Sequence, residues 1–397
     1  MKNIKFAKIF LTVTLTVIVI LTLLTIPQNN KPPQQQMYIW QRNWNPDVLQ
    51  GIKKWQGEIN GFRILAGFSK GEKISTVKIN WQWLVKNNTT SLVYRINGRK
   101  LPEAQWLNEL ILQQINQAKQ AGVSIESIEI DYDAATSKLH DYSNWLKQLK
   151  HLIHPNLSIT ALPTWATSGD IKSLLAVVDH YVLQVHSVFS PQQGLFDKKL
   201  ATDWAQQFDS LSNTPFSIAL PNYWYQVNLD KNKQIKSLSA EERSQEQPQN
   251  SPNTSQMLFA SPLSIHQAMQ SIKELKLKHF QGWVWFRMPT DSDKRIFTDK
   301  TLKHLLESDK DKVNWQLQAS TIQLKPVKPQ SHNYDLWLTN PNSIDTSTEI
   351  HYLLPEHCQV KHLISGFKPN SNKIIPNHRQ LLKAQSEKRI GWVSCGL

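Results

Sequence analysis

Three carboxylates, Glu129, Asp131 and Asp133, stand at alternate positions of one short segment, residues 125–133. Side chains two apart on a strand point the same way, so an extended chain crowds all three on one face and leaves Ile128 and Ile130 on the other. Like charges so placed repel, and each raises its neighbour's hold on a proton. That property suits proton transfer near neutral pH, and it makes Asp133 and Asp131 the candidate catalytic pair. Glu129 lies deeper in the strand and is expected to pair structurally with Arg63 or Arg95.

Such a strand has to be held by a fold that opens at its carboxyl end. An amphipathic helix at 101–121, ended by Gly122, precedes it and another at 137–153 follows. This is the β/α alternation of a parallel sheet or barrel. Further strands are expected at 37–44, 62–68, 91–96, 157–165, 180–188, 216–225 and 280–288. With the acidic strand these make eight units, and a TIM-like (β/α)8 barrel is the expected α/β fold. Asn45-Pro46 announces a helix over 46–55, and Ser261-Pro262 another. Residues 77–84 read as an extra strand or a loop excursion. A hairpin turning at Asp230-Lys231-Asn232 follows the seventh strand, and 241–255 holds no apolar residue with which to pack. Beyond a last helix at 299–306, alternating segments at 313–324, 334–338 and 349–353 suggest a small C-terminal β-rich domain.

The 397 residues therefore divide into an anchor at 1–26, a Pro- and Gln-rich linker at 27–36, the barrel at 37–308 and the β-rich domain at 309–397. Lys2, Lys5 and Lys8 precede the uncharged run 9–26, whose 18 residues approach the ~20 needed to span a bilayer as a helix. No small-x-small cleavage site follows. The expectation is an N-terminal membrane anchor helix in a bacterial inner membrane, with the lysines inside and the folded part in the periplasm. This placement excludes nucleic acid as the partner behind the formal charge of +14. It leaves the membrane and an envelope glycan. Seven Lys or Arg against the single acid Glu387 follow residue 356. In an oxidising compartment, Cys358 and Cys395 are expected to form a disulfide. No His or carboxylate sits at ligand spacing from either Cys, so neither a metal nor a cofactor is expected.

The acidic segment resembles the Asp-Gly-x-Asp-x-Asp-x-Glu signature of chitinase-type glycoside hydrolases, with Glu126, Ser127, Glu129, Asp131 and Asp133 in the corresponding places. Residues 219–223 (ALPNY), 282–285 (GWVW) and 178–186 (VDHYVLQVH) resemble that superfamily's seventh, eighth and sixth strands. Over nearly all of the exported part, the chain is similar to a bacterial family known as domain of unknown function 3142. The strings IEIDYDAATSKL with the following Tyr142, LSITALPTW, VDHYVLQVHS and GWVWFRMP carry that likeness. The resemblance implies a glycosidase-like barrel and a carbohydrate ligand. It brings no substrate of its own. Two departures from the chitinase-type pattern stand out: Asp133 replaces the acidic Glu of chitinases, and Gln184-Val185-His186-Ser187 replaces the Met-x-Tyr-Asp that orients an N-acetyl group in them.

Fifteen Trp outnumber 13 Phe and 9 Tyr, and Trp is well suited to stacking on sugars. Trp44, Trp165, Trp224 and Trp285 fall at strand exits and are expected to bind substrate, whereas Trp55, Trp106, Trp145 and Trp204 fall on helices and read as core. Gln184, His186, Tyr223 and Arg287 complete the candidate binding set. Two functions fit this reading: hydrolysis of an envelope polysaccharide or cell-wall glycan, or a non-catalytic glycan-binding or assembly role using the same cleft. The second would show Asp131 and Asp133 tied up by Arg287 or Arg42.

Overall fold

The computed structural model describes residues 32–70, 73–84, 88–186, 194–230, 232, 235–239, 255–308, 315–364 and 366–396. The expected anchor at 1–26 and nearly all of the apolar-free tract at 241–255 lie outside these residues. Among the described residues, no helix is long and apolar enough to cross a membrane.

Eight parallel strands close on themselves: β1 (Gln34–Ile39), β2 (Gly61–Lys70), β3 (Thr89–Ile96), β4 (Ser127–Tyr132), β5 (Asn156–Ala161), β6 (His180–Gln184), β7 (Phe216–Pro221) and β8 (Phe280–Phe286). Each pairs with its sequence neighbour, and β1 pairs with both β2 and β8 to complete the barrel. Among the described residues, seven α-helices wrap it: α1 (Pro46–Trp55), α2 (Ala104–Gln120), α3 (Leu139–Leu152), α4 (Ile171–Leu175), α5 (Lys198–Leu211), α6 (Pro262–Glu274) and α7 (Asp299–Glu307). Among its described residues, the β2–β3 connection carries no α-helix. It holds a short antiparallel strand, Lys73–Thr76, and a 3-10 turn at Trp81–Trp83.

The first strand begins earlier than expected. Gln34 to Gln36, assigned to the linker from their polarity, belong to β1. The amides of the buried pair are satisfied inside the fold: Gln35 accepts from Trp285 Nε1 at 2.7 Å, and Gln36 accepts from Arg63 Nε at 2.8 Å. A buried amide with its hydrogen bond made carries little of the usual burial penalty. Asn45 caps α1 by accepting from the Val48 N–H at 3.2 Å, and Val48, Ile52 and Trp55 are the face that α1 buries.

The strand interiors form layers. One apolar layer joins Tyr38, Val93, Val182, Ala219 and Val284 from five strands. Below it the barrel is polar. Ser127 donates to Ser91 at 2.7 Å, and His180 lies between Ser158 and Ser217 at 3.4 and 3.1 Å. The opposite faces of the strands, with Met37, Ile64, Ile130, Trp283 and Trp285, pack under the helices in the main core.

After β7 the chain makes a three-stranded antiparallel sheet from Trp224–Leu229, Ile235–Ser239 and Ser255–Phe259, which realises the expected hairpin. The C-terminal region is β-rich. Its largest sheet has the order β9 (Thr321–Pro326), β10 (Asn333–Thr339), β12 (Glu387–Cys395), β11 (Cys358–Leu363). A disulfide joins Cys358 to Cys395 across β11 and β12. Asp345 fastens this region to the barrel, accepting from the Thr298 N–H and Oγ1 at the start of α7 and from the Ala384 N–H.

Candidate functional site at the barrel mouth

Tyr38 and Glu129 meet inside the barrel, with the phenol donating to the carboxylate at 2.6 Å. Arg63 Nη1 at 2.6 Å and Thr160 Oγ1 at 2.8 Å also donate to Glu129, which is fully buried. The carboxylate is thus satisfied on every side and has a structural role, as the sequence suggested. Burial and the adjacent Glu129 hold the Tyr38 phenol well above its ordinary range.

Two residues further along the same faces, Trp40 follows Tyr38 and Asp131 follows Glu129, so the next layer up sets an indole and a carboxyl around the mouth. Asp131 is 6 % exposed. Burial, the neighbouring Asp133 and Glu129 push its carboxyl up to about 6 against the opposing pull of Arg95. The Asp133 side chain stands at the strand exit and is 49 % exposed. One guanidinium holds both: Arg95 Nη1 lies 2.6 Å from Asp131 and Nη2 2.5 Å from Asp133. Its Nε donates to Asn97 at 3.0 Å, so every edge of the guanidinium is engaged.

Beside this cluster is an aromatic floor. Phe286 contacts Trp40, Tyr38, Tyr223 and His186 at ring-centroid distances of 5.0, 5.6, 5.4 and 6.1 Å. His186 is buried, donates through Nδ1 to the Ala219 carbonyl, and burial drives it down to about 4, so it is neutral at pH 7. Gln184 donates to the His186 carbonyl at 3.1 Å and is occupied in holding that loop.

The other candidates are scattered. Tyr223 and His186 line the floor. Trp44 is part-exposed on the rim and stacks on Trp83 at 6.0 Å. Trp165 and Trp285 do not reach the mouth, and their expected stacking role is corrected. Both have no exposed surface; their indole N–H groups are spent on the Ala134 carbonyl and on Gln35, in the helix-facing core. Trp224 is nearly buried beneath Lys383, whose ammonium lies 4.5 Å from the ring. Arg287 is 4 % exposed and bonded to Asp293 in its own loop, so it neither meets the acidic pair nor offers itself to an anionic ligand. Arg42 covers Phe68 at 4.2 Å. Sequence reasoning missed Trp40, Phe286 and the clamping role of Arg95. A period-2 count from Tyr38 reaches Trp40, whereas Arg95 is brought to the carboxylates only by strand pairing and Phe286 lies on a strand with no polar face to set its phase.

A shallow depression of about 500 Å³ lies at the far end of the barrel, where Val178, Asp179 and Pro215 precede β6 and β7. It holds no part of this chemistry.

The chain belongs to the family described as "Domain of unknown function (DUF3142)", which it matches over residues 88–291. Its fold is similar to that of the spore cortex-lytic enzyme SleL from Bacillus megaterium QM B1551, with a TM-score of 0.50 at 14% identity over 71% of this chain and 75% of that one. SleL from Bacillus cereus is similar to the same degree, with a TM-score of 0.52 at 13% identity over 72% and 76%. The GH18 chitinase ChiB of Flavobacterium johnsoniae has a TM-score of 0.46 at 10% identity over 71% and 94%. No curated protein matches the chain in sequence. The architecture is that of a TIM-like barrel.

Proposed function

We propose that the protein hydrolyses a polysaccharide or cell-wall glycan of the bacterial envelope, taking the sugar chain into the barrel mouth. One arrangement carries this reading: a buried carboxyl, Asp131, pushed up to about 6 by its burial, stands next to an exposed carboxylate and an aromatic floor at the end of one barrel strand. A buried carboxyl that keeps its proton near neutral pH is what glycosidic cleavage asks of an acid, and the apolar rings supply a surface for a pyranose. The SleL enzymes, cortex-lytic by name, share this barrel.

A second reading has its own support. Because Arg95 holds both Asp131 and Asp133, the same mouth suits a protein that binds glycan without cutting it. Incubation of the wild type with peptidoglycan sacculi, chitin oligosaccharides and extracted exopolysaccharide, followed by reducing-end assay, separates the two. Hydrolysis predicts release that Asp131→Asn, which removes the buried acid, lowers by about 10²–10⁴-fold with binding kept. Binding without release by the wild type on every glycan sinks the hydrolytic reading.

We also propose that residues 9–26 anchor the protein in the inner membrane with the barrel on the periplasmic side. The Cys358–Cys395 disulfide supports an oxidising compartment. A periplasm-dependent reporter fused after residue 60 should be active, and activity of a cytoplasm-dependent one would overturn this topology.

A further inference from the structure

The sheet formed by β9, β10, β12 and β11 has two faces, and the core uses only one. Leu336 and Leu338 of β10 and Ile390 and Val393 of β12 are buried in the C-terminal core. The other face carries Trp337 and Trp392, both part-exposed and neither packed in a core cluster. Their placement depends on a bulge. The β10–β12 ladder shifts register between Leu336 and Trp337, so that Asp335 lies opposite Trp392 and Trp337 lies opposite Arg389. Arg389 and Trp392, three apart, thereby reach the same face, and Ile390 and Val393 stay in the core. Gly391 permits it: a Cβ there would stand 2.2 Å from the His362 carbonyl oxygen.

We propose that this open face is a second glycan-binding surface, on which Trp392 and Trp337 stack against neighbouring pyranose rings of an extended, uncharged polysaccharide. Diagonal partners on adjacent antiparallel strands stand about 7–8 Å apart at the backbone, within the span of a short sugar segment. The polar groups around the indoles are of the kind that bond sugar hydroxyls. Gln323 lies opposite Trp337 on β9, and His362 lies opposite Trp392 on β11. Asp335 and Arg389 are paired at 2.6 Å between them. Lys325 pairs with Glu387 at 2.6 Å and rests over Trp337 at 4.8 Å. An exposed pair of this kind holds little energy, and the lysine can yield its place to a ring. Among the described residues Trp392 meets no other ring and no cation.

The two cations beside the tryptophans, Lys325 and Arg389, are each paired with an acid, Glu387 and Asp335, which favours a neutral sugar over anionic lipid. The most exposed aliphatic side chains, Val327, Ile350 and Leu353, lie outside it. Only the choice of ligand class rests on the glycan reading of the barrel.

The test uses the full chain in detergent, co-sedimented with insoluble peptidoglycan sacculi, chitin and cellulose, and floated with phosphatidylglycerol vesicles. The expected result is retention on at least one glycan that Trp392→Ala weakens about tenfold, with Trp337→Ala adding to the loss and Trp392→Phe restoring most of it. Turnover of soluble oligosaccharide, where present, should be unchanged in all three variants. Retention that depends on Trp392 without any turnover would remove the hydrolytic reading and leave this one standing. Retention indifferent to both tryptophans, no retention on any glycan, or Trp392-dependent binding to vesicles alone would each overturn it.

Discussion

Asp131 and His186 respond to pH in opposite directions at the same barrel end. The Asp131 carboxyl is raised to about 6 in the folded protein, above the ~3.9 of an unfolded aspartate, so between these values the folded state holds the extra proton and stability falls as pH rises. His186, driven down to about 4 from the ~6.5 of a free imidazole, does the reverse: over that window the unfolded state binds more protons and stability rises with pH. The two offset each other between about pH 4 and 6, each at the order of 2–3 kcal/mol. Melting temperature measured from pH 4 to 7 should therefore change less in the wild type than in either single variant. Asp131→Asn should leave a curve that climbs with pH, and His186→Gln one that falls. Parallel curves for all three proteins would show that neither group titrates as buried. This conflict was half visible in the chain. The alternation of 129, 131 and 133 shows the carboxylates together, but Arg95, 36 residues upstream of Asp131, becomes their clamp only because β3 and β4 pair in register.

At the scale of the strand, the eighth unit shows where reading by pattern stops. Phe280–Phe286 has aromatic side chains on both faces, because a barrel strand is buried against the axis on one side and against helices on the other. With no polar face to set the phase, the sequence does not say whether Trp285 or Phe286 looks inward. The phase is fixed by Met37, which pairs with Trp285 on β1 and shares its helix-facing core. The acidic strand gave its phase away because carboxylates cannot go under a helix unpaired. Trp285→Ala should accordingly cost about 3–5 kcal/mol of stability, as large core truncations do. Trp40→Ala should leave stability nearly unchanged and weaken glycan binding. Denaturant unfolding and glycan titration on the two variants check both halves, and a stable Trp285→Ala protein with impaired binding would reverse the assignment. The helices were easier. Asn45-Pro46 and Ser261-Pro262 mark α1 and α6 at the residues where they begin, since caps and first-turn prolines are local chemistry.

Across the whole molecule, the β-rich region was expected as an appendage and is bound to the barrel through Asp345 on α7 and Lys383 on Trp224. The two contacts join segments far apart in sequence, and no periodicity announces them. The disulfide, by contrast, was legible from a count of two cysteines. With its ends 37 positions apart in sequence, it is expected to stabilise the region by about 4 kcal/mol in the chain-entropy model. The paired variant Cys358→Ser with Cys395→Ser should lower the unfolding midpoint of the C-terminal sheet, as read by hydrogen exchange on β11 and β12. Unchanged protection there would show that the sheet holds without it.

The closure of β1 on β8 has a bearing on how the molecule is made. Gln35 receives the indole N–H of Trp285 from 250 residues further along the chain. At a synthesis rate of about 5–20 residues per second, the first strand waits roughly 12–50 s for its partner. Throughout that interval β1 has an open edge, and the glutamine amides that close the barrel have nothing to bond. A chain in that state is best kept unfolded until it is complete. On the topology proposed above, passage across the membrane as an extended thread would do this, and the barrel would close once, on the far side.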